Sequence, residues 1–251
     1  VKLADWAPAA VCLAVGYIAC NLALDVTTAT NVGFLVALPV VFAPFVARVV
    51  RRVRYPRAMI PFQVAVVGGL YLLCCNGGSF SFGAGEALSL LSSAAIAGSL
   101  VFGEKGLEKL SAPTIAGTQI LAAFVLSLAA ALAAEPVVDV ATIEPAAWGV
   151  IVFLAILSTC VTFALQNVAL TGLPSSTVSL LLTFEPVFTA LFSMALLGEF
   201  LSIGGWVGAG VILVAVVGAT LVEGRDGNSE APSSTGMERL VSQLASDSNA
   251  Q

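Results

Sequence analysis

Apolar runs of about 20 residues recur between residues 8 and 222, and only short polar gaps part them. That run length is what an α-helix needs to cross the hydrocarbon core of a bilayer. A β-barrel reading fails, because the runs are too long, Ala and Leu dominate them, and no two-residue alternation appears. Composition agrees: 59% of the 251 residues are hydrophobic and 10% are charged, against about 25% charged in a soluble domain. A soluble enzyme, a disordered chain and a nucleic-acid binder are thereby excluded.

The periodicity gives eight helices: Pro8–Leu24, Val32–Val50, Ala58–Cys75, Ala87–Phe102, Pro113–Ala134, Ala146–Leu170, Pro174–Leu197 and Ile203–Val222. The ten basic residues test that number. Lys2, the cluster Arg48, Arg51, Arg52, Arg54 and Arg57, the pair Lys105 and Lys109, and the tail residues Arg225 and Arg239 all fall in alternate gaps. Eight spans put every cation on one side, whereas seven or nine would scatter them. The opposite side carries Asp25, Glu135, Asp139, Glu144 and Glu199. Cytoplasmic loops are rich in Lys and Arg, so both termini are expected in the cytoplasm and the chain in the plasma membrane. Arg48 to Arg57 would meet anionic headgroups.

The chain also repeats itself. Thr30, Leu35, Pro39 and Val40 match Thr177, Leu182, Pro186 and Val187 at an offset of 147. Helices four to eight form a unit of five, and helices one to three look like the end of a similar unit. Units with an odd number of spans, in series, insert with opposite topology. The expected fold is therefore an all-α integral membrane protein of about eight transmembrane helices, built from two inverted five-helix repeats of which the first is truncated. The parts are residues 1–75 (first repeat), 76–86 (non-cytoplasmic loop), 87–223 (complete second repeat) and 224–251 (a disordered cytoplasmic tail). Internal repeats of this kind mark transporters.

Over Ser175–Glu223 the residues Ser179 to Leu191, SLLLTFEPVFTAL, precede Leu197-Gly198-Glu199, Leu201-Ser202, Trp206 and Gly208. This stretch resembles the second-repeat signature of the drug/metabolite transporter superfamily, in its EamA-like branch. Weaker likeness covers Trp6–Cys75 and Ala87–Gln119. The resemblance implies ten helices in two five-helix repeats, so two are absent from the front here. It implies alternating access and export of small metabolites, amino acids among them. Two departures stand out: Arg51-Arg52 occupies the place of Gly198-Glu199, and Leu38 that of Glu185.

The polar residues inside the spans are the candidate substrate site. Glu185 is the one ionisable side chain this reading places deep in a span, where acids are costly and rarely face lipid. It is a candidate for proton coupling or for binding a substrate amine. Equally, it could hydrogen-bond to the turn that Pro186 opens. Thr189 shares its helix face. Gln166 lies on a stripe with Thr159 and Thr162, beside Asn167. Tyr17 and Asn21 lie one turn apart on the first helix, and Gln63 and Gln119 are single amides that bind substrate or bridge helices. Pro39 and Pro186 supply helix irregularity.

Ser89, Ser92, Ser93 and Ser99 form a small-residue stripe suited to close packing. Gly204 and Gly208 make a GxxxG motif for packing within a chain or in a homo-oligomer. No cofactor and no metal is expected: there is no His, and the five cysteines sit in apolar runs without a CxxC spacing. The expected partners are the lipid bilayer and a small-molecule metabolite, with no nucleic acid. The rivals are a non-transporting membrane scaffold or fragment and a membrane enzyme. The latter lacks a nucleophile–base pair, paired carboxylates inside the spans and a phosphate loop.

Overall fold

A computed structural model describes residues 2–52, 57–75, 83–134, 144–197 and 202–229. Among these residues the regular structure is helical throughout, with no strand. The helices are α1 (Leu3–Val26), α2 (Ala29–Val36), α3 (Pro39–Val50), α4 (Ile60–Cys75), α5 (Ala84–Gly106), α6 (Ala112–Ala134), α7 (Pro145–Phe153), α8 (Thr162–Ala169), α9 (Ser175–Leu182), α10 (Glu185–Leu197) and α11 (Ile203–Ser229). A π-helical stretch, Leu154–Val161, joins α7 to α8. Five stretches are long and apolar enough to cross a membrane, and Arg57–Leu73 and Ile203–Ala219 are shorter apolar helices. With α9 and α10 taken as one broken rod, these are the eight expected segments. The chain is an integral membrane protein.

Two rods are broken at matching places. Proline lacks an N–H and disfavours helical geometry in the residue before it. At the first break Pro39 opens α3, and Leu38 closes the end of α2 with a tight bond from its N–H to the Leu35 carbonyl at 3.3 Å. At the second, Thr183 and Phe184 donate to the Leu180 and Leu181 carbonyls, both at 3.1 Å, and α10 then starts at Glu185. The boundaries of α2, α3, α9 and α10 recur at an offset of 146, as in 29/175, 36/182 and 39/185. The proline match at 147 is therefore one residue out of step with the elements. The first positions of a helix have no intrahelical use for their N–H groups, so proline fits as the first residue of α3 and as the second of α10.

Helices α4 and α11 run in opposite directions where they meet. Gly204 lies beside Leu72, Gly208 beside Gly69 and Leu73, and Gly218 beside Phe62. Numbers rise along α11 as they fall along α4, so the pair is antiparallel. The backbones approach closely from both sides. A Cβ on Gly208 would stand 2.5 Å from the Gly69 carbonyl oxygen, and one on Gly69 would stand 2.9 Å from the Gly208 oxygen. Gly208 of the GxxxG motif thus serves packing within this chain.

Helix α1 lies antiparallel to α5. The serine stripe meets it: Ser92 Oγ donates to the Gly16 carbonyl and Ser99 Oγ to the Ala9 carbonyl, each at 2.8 Å. This arrangement brings Lys2 and Asp5, Arg51, Glu104, Glu108 and Lys109 to one end of the bundle, called here the basic end. Asp5 pairs with Lys109 at 2.7 Å. Arg54 and Arg239, and the acids Glu135, Asp139 and Glu199 expected at the other end, lie outside the described residues, as do 230–251 of the expected tail. Helix α11 continues to Ser229, past the boundary at 223. Leu121, Phe124, Val150, Phe153 and Val214 are exposed on the outside of the bundle, which suits contact with acyl chains.

Candidate functional site

The two helix breaks meet in one apolar cluster. Leu35, Leu38 and Leu180 are buried in it, and Ala37, Phe184, Val187 and Leu90 pack against it. Backbone that leaves the helical pattern at membrane depth is tolerated only where protein or a cavity surrounds it. Glu185 is the first residue of α10, directly after the second break, and the residue is exposed. It lies within electrostatic reach of the Tyr17 hydroxyl. The Tyr17 ring in turn meets Phe163 edge-on, with centroids 6.1 Å apart. Asn21, one turn further along α1, is exposed. Tyr17 and Phe163 therefore join α1 to α8. Thr189 belongs to α10, and its side chain lies outside the described residues.

The amides divide by their partners. Gln119 and Asn167 are fully buried and joined to each other. Asn167 Nδ2 donates to Gln119 Oε1 at 2.8 Å and to the Phe163 carbonyl at 2.9 Å. Gln119 Nε2 donates to Ser99 Oγ at 2.9 Å, and Ser99 continues the chain to the Ala9 carbonyl. Four rods are thereby stitched together. Asn167 Oδ1 is buried without a hydrogen-bond partner, as are Ser93 Oγ and Ser175 Oγ. Such an orphan acceptor costs about 1–3 kcal/mol, so the carbonyl side of this amide is available to a donor.

Gln63 has a definite structural task. Pro44 interrupts α3 and provides no N–H for the carbonyl one turn back, which belongs to Val40. Gln63 Nε2 donates to that oxygen at 2.7 Å from the neighbouring rod. The side chain supplies the hydrogen bond that proline withholds.

The expected stripe Thr159, Thr162 and Gln166 is disturbed by the π-helical stretch. Its wider turn shifts the faces downstream, and Thr162 Oγ1 reaches back five residues to the Leu157 carbonyl at 3.4 Å. Gln166 ends half-buried, and Asn167 is the residue turned inward. Short π-helical turns inside α-helices frequently occur at functional sites.

Two carboxylates escaped the sequence reading. Glu86 is 3% exposed and accepts hydrogen bonds from the Thr27 hydroxyl, the Asn31 amide and the Gly83 N–H. The capping-box spacing, with a Glu three residues after the cap, was the available signal. Glu104 pairs with Arg51 and accepts from the Ser175 N–H at 2.9 Å. Among the described residues no group of His, Cys, Asp and Glu could hold a metal ion.

Comparison with known proteins completes the picture. An uncharacterized transporter of Archaeoglobus fulgidus is 32% identical over 206 residues, which cover 80% of this chain and 64% of that protein. The Threonine/homoserine exporter RhtA of Escherichia coli K12 is 39% identical over 77 residues, or 30% of this chain and 26% of the exporter. The chain thus spans less than two thirds of the length of these relatives. A crystal structure of 17% identity superposes with a TM-score of 0.76, covering 90% of this chain and 78% of its own, and establishes a shared fold. Residues 83–221, more than half of the chain, match the EamA-like transporter family, and the chain belongs to that family.

Proposed function

We propose that the chain is a secondary transporter that exports small metabolites, amino acids among them, by alternating access. In this reading it sits in the plasma membrane with both termini in the cytoplasm. Residues 1–75 belong to the first repeat, and 87–223 act as the second.

The observation that carries the proposal is the pair of broken helices meeting at repeat-equivalent positions. Discontinuous helices at a repeat interface are where secondary transporters bind substrate, because half-helix ends present uncompensated backbone dipoles there. Glu185 binds the substrate ammonium or carries the coupled proton. Tyr17 and Asn21 border it, with Gln166 and Thr189 further along the wall. Asn167 offers its open carbonyl oxygen, while Gln119 and Gln63 hold the surrounding rods in register. Pro39 and Pro186 fix the breaks. The printed name of the shorter relative, a threonine/homoserine exporter, supports a zwitterionic amino acid as the first substrate class to try.

The test is counterflow of radiolabelled threonine and homoserine in proteoliposomes under an imposed pH gradient. Glu185→Gln is expected to fold normally and to lose the gradient dependence. Cysteines replacing Tyr17 and Glu185 are expected to react with aqueous thiol reagents and to be protected by substrate. Gradient-driven transport unchanged in Glu185→Gln, with both cysteines inert, would sink the assignment of this site.

A further inference from the structure

The two carboxylates missed by the sequence reading stand at opposite ends of one helix. Glu86 lies in the first turn of α5 and Glu104 in the last. They are 18 residues apart, or about 27 Å at 1.5 Å per residue, close to the hydrocarbon thickness of a bilayer, about 30 Å. Helix α5 packs against α1, α2, α3 and α9, so it touches the first half of both broken rods.

At the end away from the basic residues, Glu86 Oε1 takes the Thr27 hydroxyl at 2.5 Å and Asn31 Nδ2 at 3.0 Å. Thr27 directly precedes α2, and Asn31 is in its first turn. Glu86 Oε2 accepts from Gly83 N at 2.7 Å. At the basic end, Glu104 pairs with Arg51, the residue that closes α3, and accepts from the N–H of Ser175, the first residue of α9. Arg51 also reaches Glu108 at 3.1 Å. Each carboxylate therefore grips the N-terminal turn of the first half of one broken rod, where the helix dipole welcomes an anion. For Glu104 this arrangement opposes the preference of its own helix, since a carboxylate in the last turn of α5 faces the negative end of that dipole. Arg51 and the start of α9 supply the compensation. Arg51 is also the residue by which the first repeat departs from the Gly-Glu of the second.

We infer that Glu86 and Glu104 are the two gate latches of the transporter: Glu86 holds α2 shut at one face of the membrane, and Glu104 with Arg51 holds α9 shut at the other. Both are engaged in this structure. Releasing one latch frees one half-helix and opens one face. The inference rests on the alternating-access reading, and its test needs no substrate.

Val32 on α2 and Val178 on α9 are repeat-equivalent at the 146 offset and are 3% and 4% exposed. They serve as paired reporters. In the full chain, cleared of native cysteines and kept in native membranes, Val32→Cys or Val178→Cys is labelled with an aqueous maleimide. Glu86→Gln is expected to speed labelling at position 32 by about tenfold, the scale of one lost charged hydrogen bond, and not at 178. Glu104→Gln is expected to do the reverse. Thr27→Val and Arg51→Gln weaken the same latches from the partner side, and they give the same opposed pattern if either Glu variant fails to fold. Equal effects at both positions, or none in folded protein, would overturn the latches. Opposed reporter shifts alongside unaltered transport in Glu185→Gln would retain the latches and reject the substrate site.

Discussion

The Gln63 bond to the Val40 carbonyl makes a quantitative test of how this chain stabilises a proline inside a span. Gln63→Met keeps the length of the side chain and removes the donor. The oxygen freed by Pro44 then lacks its 2.7 Å partner. An unsatisfied buried acceptor costs about 1–3 kcal/mol. Side-chain hydrogen bonds measured in membranes average about 0.6 kcal/mol and reach about 1.7. The expected loss for Gln63→Met is therefore about 1–2 kcal/mol. Pro44→Ala returns an N–H to the position whose helical partner is Val40, so the oxygen no longer depends on Gln63. In that background Gln63→Met should cost less than about 0.5 kcal/mol, leaving a coupling energy near 1 kcal/mol, well inside the range seen for contacting residues. Reversible unfolding by SDS in mixed micelles reads all four corners of the cycle. Equal losses with and without Pro44 would refute the reasoning, because the amide would then be acting on something other than the freed carbonyl.

The α4–α11 contact predicts that Gly208→Ala costs about 1–3 kcal/mol, since its Cβ would press on the Gly69 oxygen and the Leu73 nitrogen, 2.7 Å away. The matched control is Gly33→Ala in α2, where a Cβ meets nothing within 4 Å; it should be neutral or stabilising in the same SDS titration, and equal losses at both sites would argue against the close approach. Lys109 gives a pH dependence. Its hydrogen bond to Asp5 raises the pKa of its ammonium above the ordinary value, about 10.4. A raised folded-state value means the contribution is complete below the unfolded pKa and is lost as pH rises through the folded one. The melting difference between the native chain and Lys109→Met should stay constant from neutral pH to the unfolded pKa and then shrink above it. A difference that persists well above the folded pKa would show that the pair does not stabilise through charge.

The rods were legible because bilayer thickness sets the length of an apolar run, and because cations at one end fix the number of crossings. The interior of each rod was less so. Pro39 and Pro186 announced irregularity, yet the breaks fall at Ala37–Leu38 and Thr183–Phe184, where carbonyls are reclaimed by tight three-residue bonds. The π-helical Leu154–Val161 had no Gly or Pro to mark it. Its wide turns change register without changing composition, and the apolar residues there read equally well at either spacing. The inverted relation of the repeats was inferred from counting spans; the glycine contacts show α4 and α11 running antiparallel.

The candidate site was read by asking which polar side chains lie within apolar runs, and that question mixes two populations. A lipid-embedded chain first has to satisfy its own backbone. Gln63 answers to a carbonyl that Pro44 releases, and the Ser92 and Ser99 hydroxyls to carbonyls of α1. Gln119 is used on both sides of its amide. None of these partners can be recognised along the chain, because each lies on another rod 20 or more residues away. The remaining candidates are residues that the internal bonds do not use up. Asn167 retains its carbonyl oxygen, and Glu185 stands at a helix start, its carboxylate in no hydrogen bond among the described residues. The carboxylates Glu86 and Glu104 are the opposite case, with partners from two elements each, and their task is to hold those elements together. In the proposed reading, the polar atoms left open mark where substrate binds, and the engaged carboxylates at the ends of α5 mark what must be released for it to pass.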